Sequence, residues 1–160
     1  MDKILVDKEG YKQFFEELDR LKNLSVEMSS IGNTAYKDAI GDGWHDNFAF
    51  EDSMRESRTL AKKIDDMQME VPYLEVIENL NKGDEYINIG DTFEVEFIYS
   101  SDDVEKEKLT LTGKYIPDNK TNEITLNSPI ARAVLNKKIN TTTSYFVNDK
   151  EIKIRILNKI

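Results

Sequence analysis

Seam-forming positions recur in steps of mostly three and four residues along the first half of the chain. They form two runs, first Tyr11, Phe14, Leu18, Leu21, Leu24, Met28, Ile31 and Ala35, and then Phe50, Met54, Ser57, Ala61, Ile64, Met67 and Val71. This spacing is typical of helices that pack along one narrow seam. Because the short polar stretch 41–47, which contains two glycines, predicts a turn between the runs, we expect an antiparallel helical hairpin.

Pro72 predicts the end of the second helix, or a kink in it, because proline lacks an N–H and crowds the preceding turn. We expect a short helical extension over 73–80 and then a C-cap and linker at 81–84. The predicted domains are therefore a coiled-coil hairpin at 1–80, with its tip at 41–47, and a second domain at 81–160.

From residue 92 the period of apolar residues changes to two. Alternation predicts antiparallel strands with one covered face at 92–99, 108–112, 122–126, 143–147 and 150–157, separated by turns such as the acidic stretch 100–106. One helix interrupts the strands, with Ser128 suited to its N-cap and Pro129 to its first position. The predicted fold class is α+β, a helical hairpin followed by a small antiparallel sheet that carries one short helix.

Composition excludes several classes of function. The net charge of −9 argues against wrapping of a nucleic-acid backbone, which needs an excess of cations. The absence of cysteine excludes disulfide scaffolds and thiolate sites, and the single histidine, His45, excludes a two-histidine zinc site. No apolar run approaches the roughly 18 residues that span a bilayer, and a basic-then-apolar signal sequence is absent, so we expect a cytoplasmic protein without membrane contact.

The predicted tip is acidic. Five acids and no lysine or arginine lie between residues 38 and 52, and Asp42 and Asp46 flank the turn. Two carboxylates cannot complete a site for a hard cation, but they can supply ligands to a metal that a partner already holds. Alternatively, the acids keep an exposed turn soluble and cap the second helix.

Other residues near the tip also allow two interpretations. Trp44 either folds back on Phe48 or contacts a partner. His45 is either a solvated turn residue, the simpler interpretation, or a catalytic base. Arg55 and Arg58 belong either to a basic stripe that faces a phosphate backbone or to an ordinary helix surface paired with acids such as Glu51. The methionines at positions 28, 54, 67 and 69 are expected in the seam.

These features together resemble the Gre family of bacterial transcription elongation factors over residues 10–160. Residues 16–22 are similar to the family's opening helix, and residues 64–66 are a second short segment that resembles the family. At the tip, Gly41-Asp42 and Asp46-Asn47 resemble the motif Gly-Asp-x-x-Glu-Asn-Ala-x-Tyr. The most specific part is Ser128-Pro129-Ile130-Ala131-Arg132-Ala133-Val134-Leu135, which follows the family's Ser-Pro-(Ile/Leu/Met)-(Gly/Ala)-(Lys/Arg)-Ala-Leu-Leu helix.

The resemblance implies an FKBP-like C-terminal domain that docks on RNA polymerase and a coiled coil that enters its secondary channel. The tip acids, Asp42 and Asp46 here, would then help to hold a Mg²⁺ ion shared with the polymerase, which cleaves the 3′ segment of backtracked RNA. The implied partner contacts are Ser128, Pro129 and Ile130 on the short helix and Trp44, Asn47 and Phe50 near the tip, with Arg55 and Arg58 facing RNA. Such a protein is a monomer and not itself an enzyme, and it meets the nascent RNA 3′ end only indirectly.

The tip departs from the family motif in two ways. Asp42 and Asp46 are four residues apart where the motif has three, and the second acid is Asp where the motif has Glu. An alternative is therefore a Gre-like channel binder that inhibits or modulates the polymerase without stimulating cleavage. A further alternative, from another class, is a coiled-coil adaptor whose sheet domain binds a peptide.

Overall fold

The computed structural model describes residues 2–41, 48–80, 82–118 and 120–160, without the side chains of 34–41, 48 and 49. The chain divides into two compact units. The sheet unit is Met1–Gln13 with Leu74–Ile160, and the hairpin unit is Phe14–Tyr73. This division differs from the predicted boundary after residue 80, because both segments that flank the hairpin belong to the sheet unit.

Two long helices form the first half of the chain, as the period predicts. Helix α1 is Lys8–Gly41 and helix α2 is Phe48–Glu70, and a 3₁₀ turn, Val71–Tyr73, contains Pro72. The helices run antiparallel, since Glu17 lies 3.5 Å from Lys63 whereas Gly32 faces Ser53. The expected end of the second helix at Pro72 is confirmed.

The seam between the helices differs in part from the predicted one. Phe14, Leu18 and Leu21 of α1 are buried, as are Leu60 and Met67 of α2. On α2 the inward positions are 53, 57, 60, 64 and 67, which alternate steps of four and three. The predicted seam residues Ile31, Met54 and Ala61 are exposed, and so is Met69, because a strict alternation of steps places each of them one residue or more off the seam.

Five strands form the main sheet of the second half. They are β3 (Thr92–Ser100), β4 (Asp103–Thr112), β5 (Glu123–Thr125), β6 (Thr142–Val147) and β7 (Lys150–Lys159), in the spatial order β5-β4-β3-β7-β6. All neighbours are antiparallel except β4 and β5, so the prediction of an antiparallel sheet is wrong at this edge. Ten residues separate β4 from β5, far more than the two of a tight hairpin turn, and a two-residue hairpin joins only antiparallel strands.

Most of the acidic stretch that predicted a turn at 100–106 is strand instead. Strand β4 begins at Asp103, and charged residues pair with those of β3, as between Lys106 and Glu96 at 3.4 Å. Arg155 of β7 contacts the same Glu96 at 3.2 Å from the other side. Opposite charges on neighbouring strands stabilise a solvated sheet face. A strand held by such pairs shows no alternation of apolar residues, so the sequence pattern does not predict it.

A second, two-stranded sheet joins the segments on either side of the hairpin. Strand β1 (Ile4–Val6) pairs in parallel with β2 (Leu74–Val76), so the predicted helical extension over 73–80 is wrong. Val6 is completely buried. The amide of Leu5 donates to Asn127 Oδ1 at 2.7 Å, and Asn127 Nδ2 donates to the Leu5 carbonyl at 3.0 Å. Side-chain and backbone hydrogen bonds thus tie β1 to the segment that leads into the short helix.

The start of α1 is fixed to the loop after β4 within the sheet unit. Asp7 caps the helix by accepting the Gly10 amide at 2.6 Å, and the Asp7 amide donates to the Gly113 carbonyl at 3.0 Å. A Cβ built on Gly10 would overlap the Gly113 carbonyl oxygen. One turn further on, the amide of Ile116 donates to Gln13 Oε1 at 3.0 Å. Gly10 is therefore required by a close approach of two backbone segments, and a Cβ on Gly113 would overlap the Asp7 side chain that caps the helix.

The core of the sheet unit lies between the sheet and α3 (Pro129–Val134). Phe93, Val95 and Phe97 of β3 fill its centre, and alternate residues of β4 and β7 extend it. Ala131, Ala133 and Val134 bury the inner side of α3. The helix is thereby held with its opposite side open to solvent, which positions the predicted docking residues.

Candidate functional site: the α3 groove and the hairpin

The acidic tip lies outside the described residues. Asp42, Trp44, Asp46 and Asn47, like His45, belong to the stretch 42–47, so their predicted roles stay predictions. In the parts of the chain that the structure describes, no group of three or more His, Asp or Glu side chains could hold a metal ion.

Phe50, Arg55 and Arg58 come together on α2. They line a shallow groove of about 470 Å³ together with Glu51, Met54 and Thr59. Both arginines are exposed, and neither forms an ion pair with any described residue. The predicted pairing with Glu51 is therefore not formed, and the two guanidinium groups present their charge to solvent beside a half-buried aromatic ring.

The sequence preceding α3 folds the way its cap residues predict. Ser128 has extended backbone angles, φ −71° and ψ 148°, and its Oγ accepts the Ala131 amide at 3.1 Å. Pro129 occupies the first turn, where its missing N–H costs nothing. The hydroxyl of Ser128 is thus committed to the helix cap, which assigns that residue a structural role in addition to any docking contact.

The three predicted docking residues differ in accessibility. Pro129 is exposed, Ser128 is half-buried, and Ile130 is half-buried and packs against the core of the sheet unit. A partner that approaches α3 from solvent therefore meets Pro129 first.

Pro129 lines a groove of about 510 Å³ between α3 and the edge strand β6. Its lining residues are Asp2, Asn127, Pro129, Arg132, Ala133, Ser144, Tyr145 and Phe146. We call this the α3 groove. Of these residues, the sequence predicted a docking contact only for Pro129. One signal pointed further, since Phe146 occupies the polar side of the alternation in 143–147, and its side chain is indeed 64% exposed.

The floor of the α3 groove is uncharged at neutral pH. Tyr145 packs its ring edge-on against Phe97, with centroids 6.3 Å apart. Burial raises the pKa of the Tyr145 hydroxyl, and the nearby Tyr99 and Glu107 raise it further. Arg132 on α3 and Asp2 beside Asn127 contribute one charge of each sign to the lining. The α3 groove therefore has no excess of positive charge that would select a phosphate group.

None of the helices in the described parts of the chain combines the length and the hydropathy of a membrane-spanning segment.

The fold and groove define a class of protein in which a helical hairpin is combined with a curled mixed sheet that carries one capped helix. Residues 82–158 match the family described as "Transcription elongation factor, GreA/GreB, C-term". The transcription elongation factor GreA of Thermosipho africanus is 29% identical over 139 residues, covering 86% of this chain and 84% of that protein. GreA of Caldanaerobacter subterraneus is 25% identical over 154 residues, covering 96% and 95%. Residues 82–158 are therefore a domain of the GreA/GreB C-terminal family, and the chain as a whole is similar to GreA transcription elongation factors.

Solved structures with a similar chain path include GreA factor homolog 1 of Thermus thermophilus. It is 17% identical, with 99% of each chain covered and a TM-score of 0.43. The GreA/GreB factor of Nitrosomonas europaea is 15% identical, covering 99% of this chain and 98% of that one, with a TM-score of 0.38.

Proposed function

We propose that this protein binds bacterial RNA polymerase, enters its secondary channel with the hairpin, and stimulates the polymerase's own cleavage of backtracked RNA. The observation that carries the proposal is the family match across residues 82–158, which include the capped helix α3 and its exposed Pro129. The protein itself is then not an enzyme, and it acts in the cytoplasm, where transcription takes place.

The chemistry of the proposal belongs to the tip. Asp42 and Asp46 would supply carboxylate oxygens to Mg²⁺ at the polymerase active site, where that metal activates water for hydrolysis. The exposed Arg55 and Arg58, with Phe50 beside them, fit a surface that faces the RNA strand. Docking through the α3 groove would hold the hairpin in the channel and leave the chemical step to the tip.

The test uses stalled complexes of purified polymerase with 5′-labelled RNA. We expect the protein to accelerate Mg²⁺-dependent shortening from the 3′ end. Asp42→Asn and Asp46→Asn should each reduce this acceleration by more than about tenfold and leave binding nearly intact, since a weakened metal site loses rate before affinity. Asp19→Asn, which removes an exposed acid of α1, is the matched control and should have no effect.

Binding is measured separately with core polymerase. Pro129→Ser should weaken it, whereas Pro117→Ser, at a half-buried proline outside the α3 groove, should not. If the unaltered protein binds and slows RNA synthesis without shortening the transcript, it is a channel inhibitor, the alternative favoured by the longer spacing of Asp42 and Asp46. If it does not bind polymerase, the proposal is wrong and the adaptor interpretation replaces it.

A further inference from the structure

Asn127 joins the segment that leads into α3 to strand β1. Its side-chain amide makes two hydrogen bonds with one residue, since Oδ1 accepts the amide of Leu5 at 2.7 Å and Nδ2 donates to the Leu5 carbonyl at 3.0 Å. The two residues are 122 positions apart in the sequence, and both are half-buried. A single side chain therefore connects two distant segments of the sheet unit.

The two hydrogen bonds complete the outer edge of β1. Successive residues of a strand direct their backbone groups to opposite sides, and the Val6 carbonyl accepts the Ile77 amide at 2.8 Å on the side of β2. The backbone groups of Leu5 therefore face away from β2, and Asn127 bonds them as a third strand would. Asparagine suits this place because its side chain, like a peptide group, carries a donor and an acceptor.

The backbone of Asn127 is fixed close to the start of α3. The amide of Ser128 donates to the Thr125 carbonyl at 3.0 Å, which closes a turn around Leu126 and Asn127, and Ser128 then caps the helix. Leu126 is 1% exposed and belongs to the core of the sheet unit. A side chain that is anchored in this turn has little freedom to move independently of α3.

Leu5, at the other end of the contact, is close to the start of α1. Only Val6 and Asp7 lie between Leu5 and the first residue of the helix. Val6 is completely buried, and Asp7 caps the helix and donates its amide to the Gly113 carbonyl. Every step from α3 to the start of α1 is thus a hydrogen bond or a buried residue.

We propose that Asn127 is a positioning residue, which holds the start of α1 in a fixed place relative to α3 and thereby sets the position of the tip acids during transcript cleavage. This role rests on the proposed function, in which α3 docks on RNA polymerase and α1 leads to Asp42. In this role Asn127 acts through Leu5 and has no need to touch the metal or the RNA.

The length of α1 makes the position of its start important. A helix of 34 residues is about 50 Å long, so a change of about 5° in its direction would move its far end by about 4 Å. Groups that complete a catalytic metal site must lie within about 0.5 Å of their productive positions. A small loss of order at Leu5 is therefore enough to reduce the rate of the metal-dependent step.

The test measures the maximum acceleration of transcript cleavage separately from the protein concentration that gives half of it. Asn127→Ala removes both hydrogen bonds, and Asn127→Asp places a second oxygen against the Leu5 carbonyl while it keeps the acceptor for the Leu5 amide. We expect each variant to lower the maximum by about tenfold, because misplaced groups cost rate even at saturation.

Asn79→Ala is the matched control. Asn79 makes the same pair of hydrogen bonds with the backbone of Ile89, at 2.7 and 3.1 Å, but both residues lie on the segment between β2 and β3. This variant loses as many hydrogen bonds as Asn127→Ala, and it should leave the maximum acceleration unchanged.

The saturation curve separates positioning from docking and from a loss of stability. Asn127 also lines the α3 groove, but a lost docking contact or a smaller folded fraction raises the half-saturating concentration and leaves the maximum unchanged. That result, or a curve identical to that of the unaltered protein, would overturn the positioning role and leave the proposed function intact. If the unaltered protein itself gives no acceleration, the proposed function is wrong, and the positioning role is wrong with it.

Hydrogen exchange of the free, unaltered protein tests the contact if neither variant folds. The Leu5 amide should exchange no more than about tenfold faster than the Leu135 amide, which donates to the Ala131 carbonyl at the end of α3, because the two segments open together. Faster exchange at Leu5 would show that β1 separates from Asn127 while α3 stays folded. A contact that opens in this way cannot set the position of α1, so that result would also overturn the role of Asn127.

Discussion

Glu17 forms ion pairs with a residue of each helix of the hairpin. Its carboxylate accepts two hydrogen bonds from the Arg20 guanidinium, at 2.7 and 2.9 Å, and lies 3.5 Å from Lys63 of α2. The hydrogen bond from Arg20 is the main reason that the pKa of Glu17 is lowered; partial burial opposes it, and the charges of Arg20 and Lys63 add to it. A bidentate pair on a side chain that is 14% exposed is better ordered than a typical surface ion pair.

This lowered pKa predicts a pH dependence with a definite sign. The stabilisation is fully present above the pKa of an unfolded glutamate, about 4.3, and is lost as the pH falls through the lower folded pKa. Glu17→Gln should lower the melting temperature of the helical signal at pH 7 by about 3–5 °C, and that difference should shrink as the pH is lowered from 7 to 3. Glu27→Gln, at an exposed acid of α1, is the control. An unchanged difference at both pH values would contradict the prediction.

Residue identity alone indicated the cap of α3 but not the groove beside it. The roles of Ser128 and Pro129 can be predicted from the local sequence, because an N-cap and a first-turn proline depend only on neighbouring backbone groups. The contribution of Phe146 depends on β6 being the last strand of the sheet, which is decided by pairings distant in sequence. Local patterns therefore predict the helix, whereas strand order had to come from the structure.

At the scale of elements, the hairpin is held by a seam whose apolar content thins along its length. Phe14, Leu18 and Leu21 are buried on α1 and Leu24 and Met28 are half-buried, whereas Gly32 further along faces only the small Ser53. A step pattern identifies the two helices reliably. It mistook Ile31 for a seam residue because an apolar side chain near the right spacing is not evidence of burial.

A matched pair of substitutions tests this assignment of the seam. Leu60→Ala should cost about 2–3 kcal/mol in the free energy of unfolding, since Leu60 is 8% exposed and its removal leaves a void. Ile31→Ala removes a side chain that is 64% exposed and should change stability by less than about 0.5 kcal/mol. Urea unfolding followed at 222 nm measures both. An equal cost for the two variants would show that the seam is assigned wrongly.

For the strands, too, the local sequence predicts some features and not those that depend on segments distant in the chain. Long strands with apolar alternation, such as β3 and β7, are confirmed within a few residues. The three-residue strands β1 and β2 are too short to display a period, and the parallel entry of β5 depends on the path of the preceding loop. Each missed feature involves pairing between segments whose sequences contain no independent signal.

At the scale of the whole molecule, one backbone contact joins segments about a hundred residues apart. Gly10 of α1 approaches the Gly113 carbonyl so closely that a Cβ has no room. Alanine normally stabilises a helix relative to glycine by about 1 kcal/mol. At Gly10 that gain should be reversed, because the neighbouring atom is backbone and cannot move aside cheaply.

The prediction is a contrast between two glycines of one helix. Gly10→Ala should lower the free energy of unfolding by about 2 kcal/mol, consistent with the cost of overpacking. At Gly32, a Cβ would sit at an ordinary 3.6 Å from Ser53 Oγ, so Gly32→Ala should raise stability by about 0.5–1 kcal/mol. Chemical denaturation of both variants provides the measurement. Stabilisation by Gly10→Ala would mean that α1 does not start where this contact places it.

The parallel pairing of β1 with β2 has a consequence for how such proteins diversify. The chain leaves the sheet unit after Gln13 and re-enters it at Leu74, and the strands β1 and β2 on either side of the hairpin lie side by side. The hairpin between those points can therefore change in length without altering the sheet unit. If both helices gain or lose the same number of whole heptads, the seam between them is preserved. The length of the hairpin and the binding surface of the sheet unit can therefore change independently during evolution.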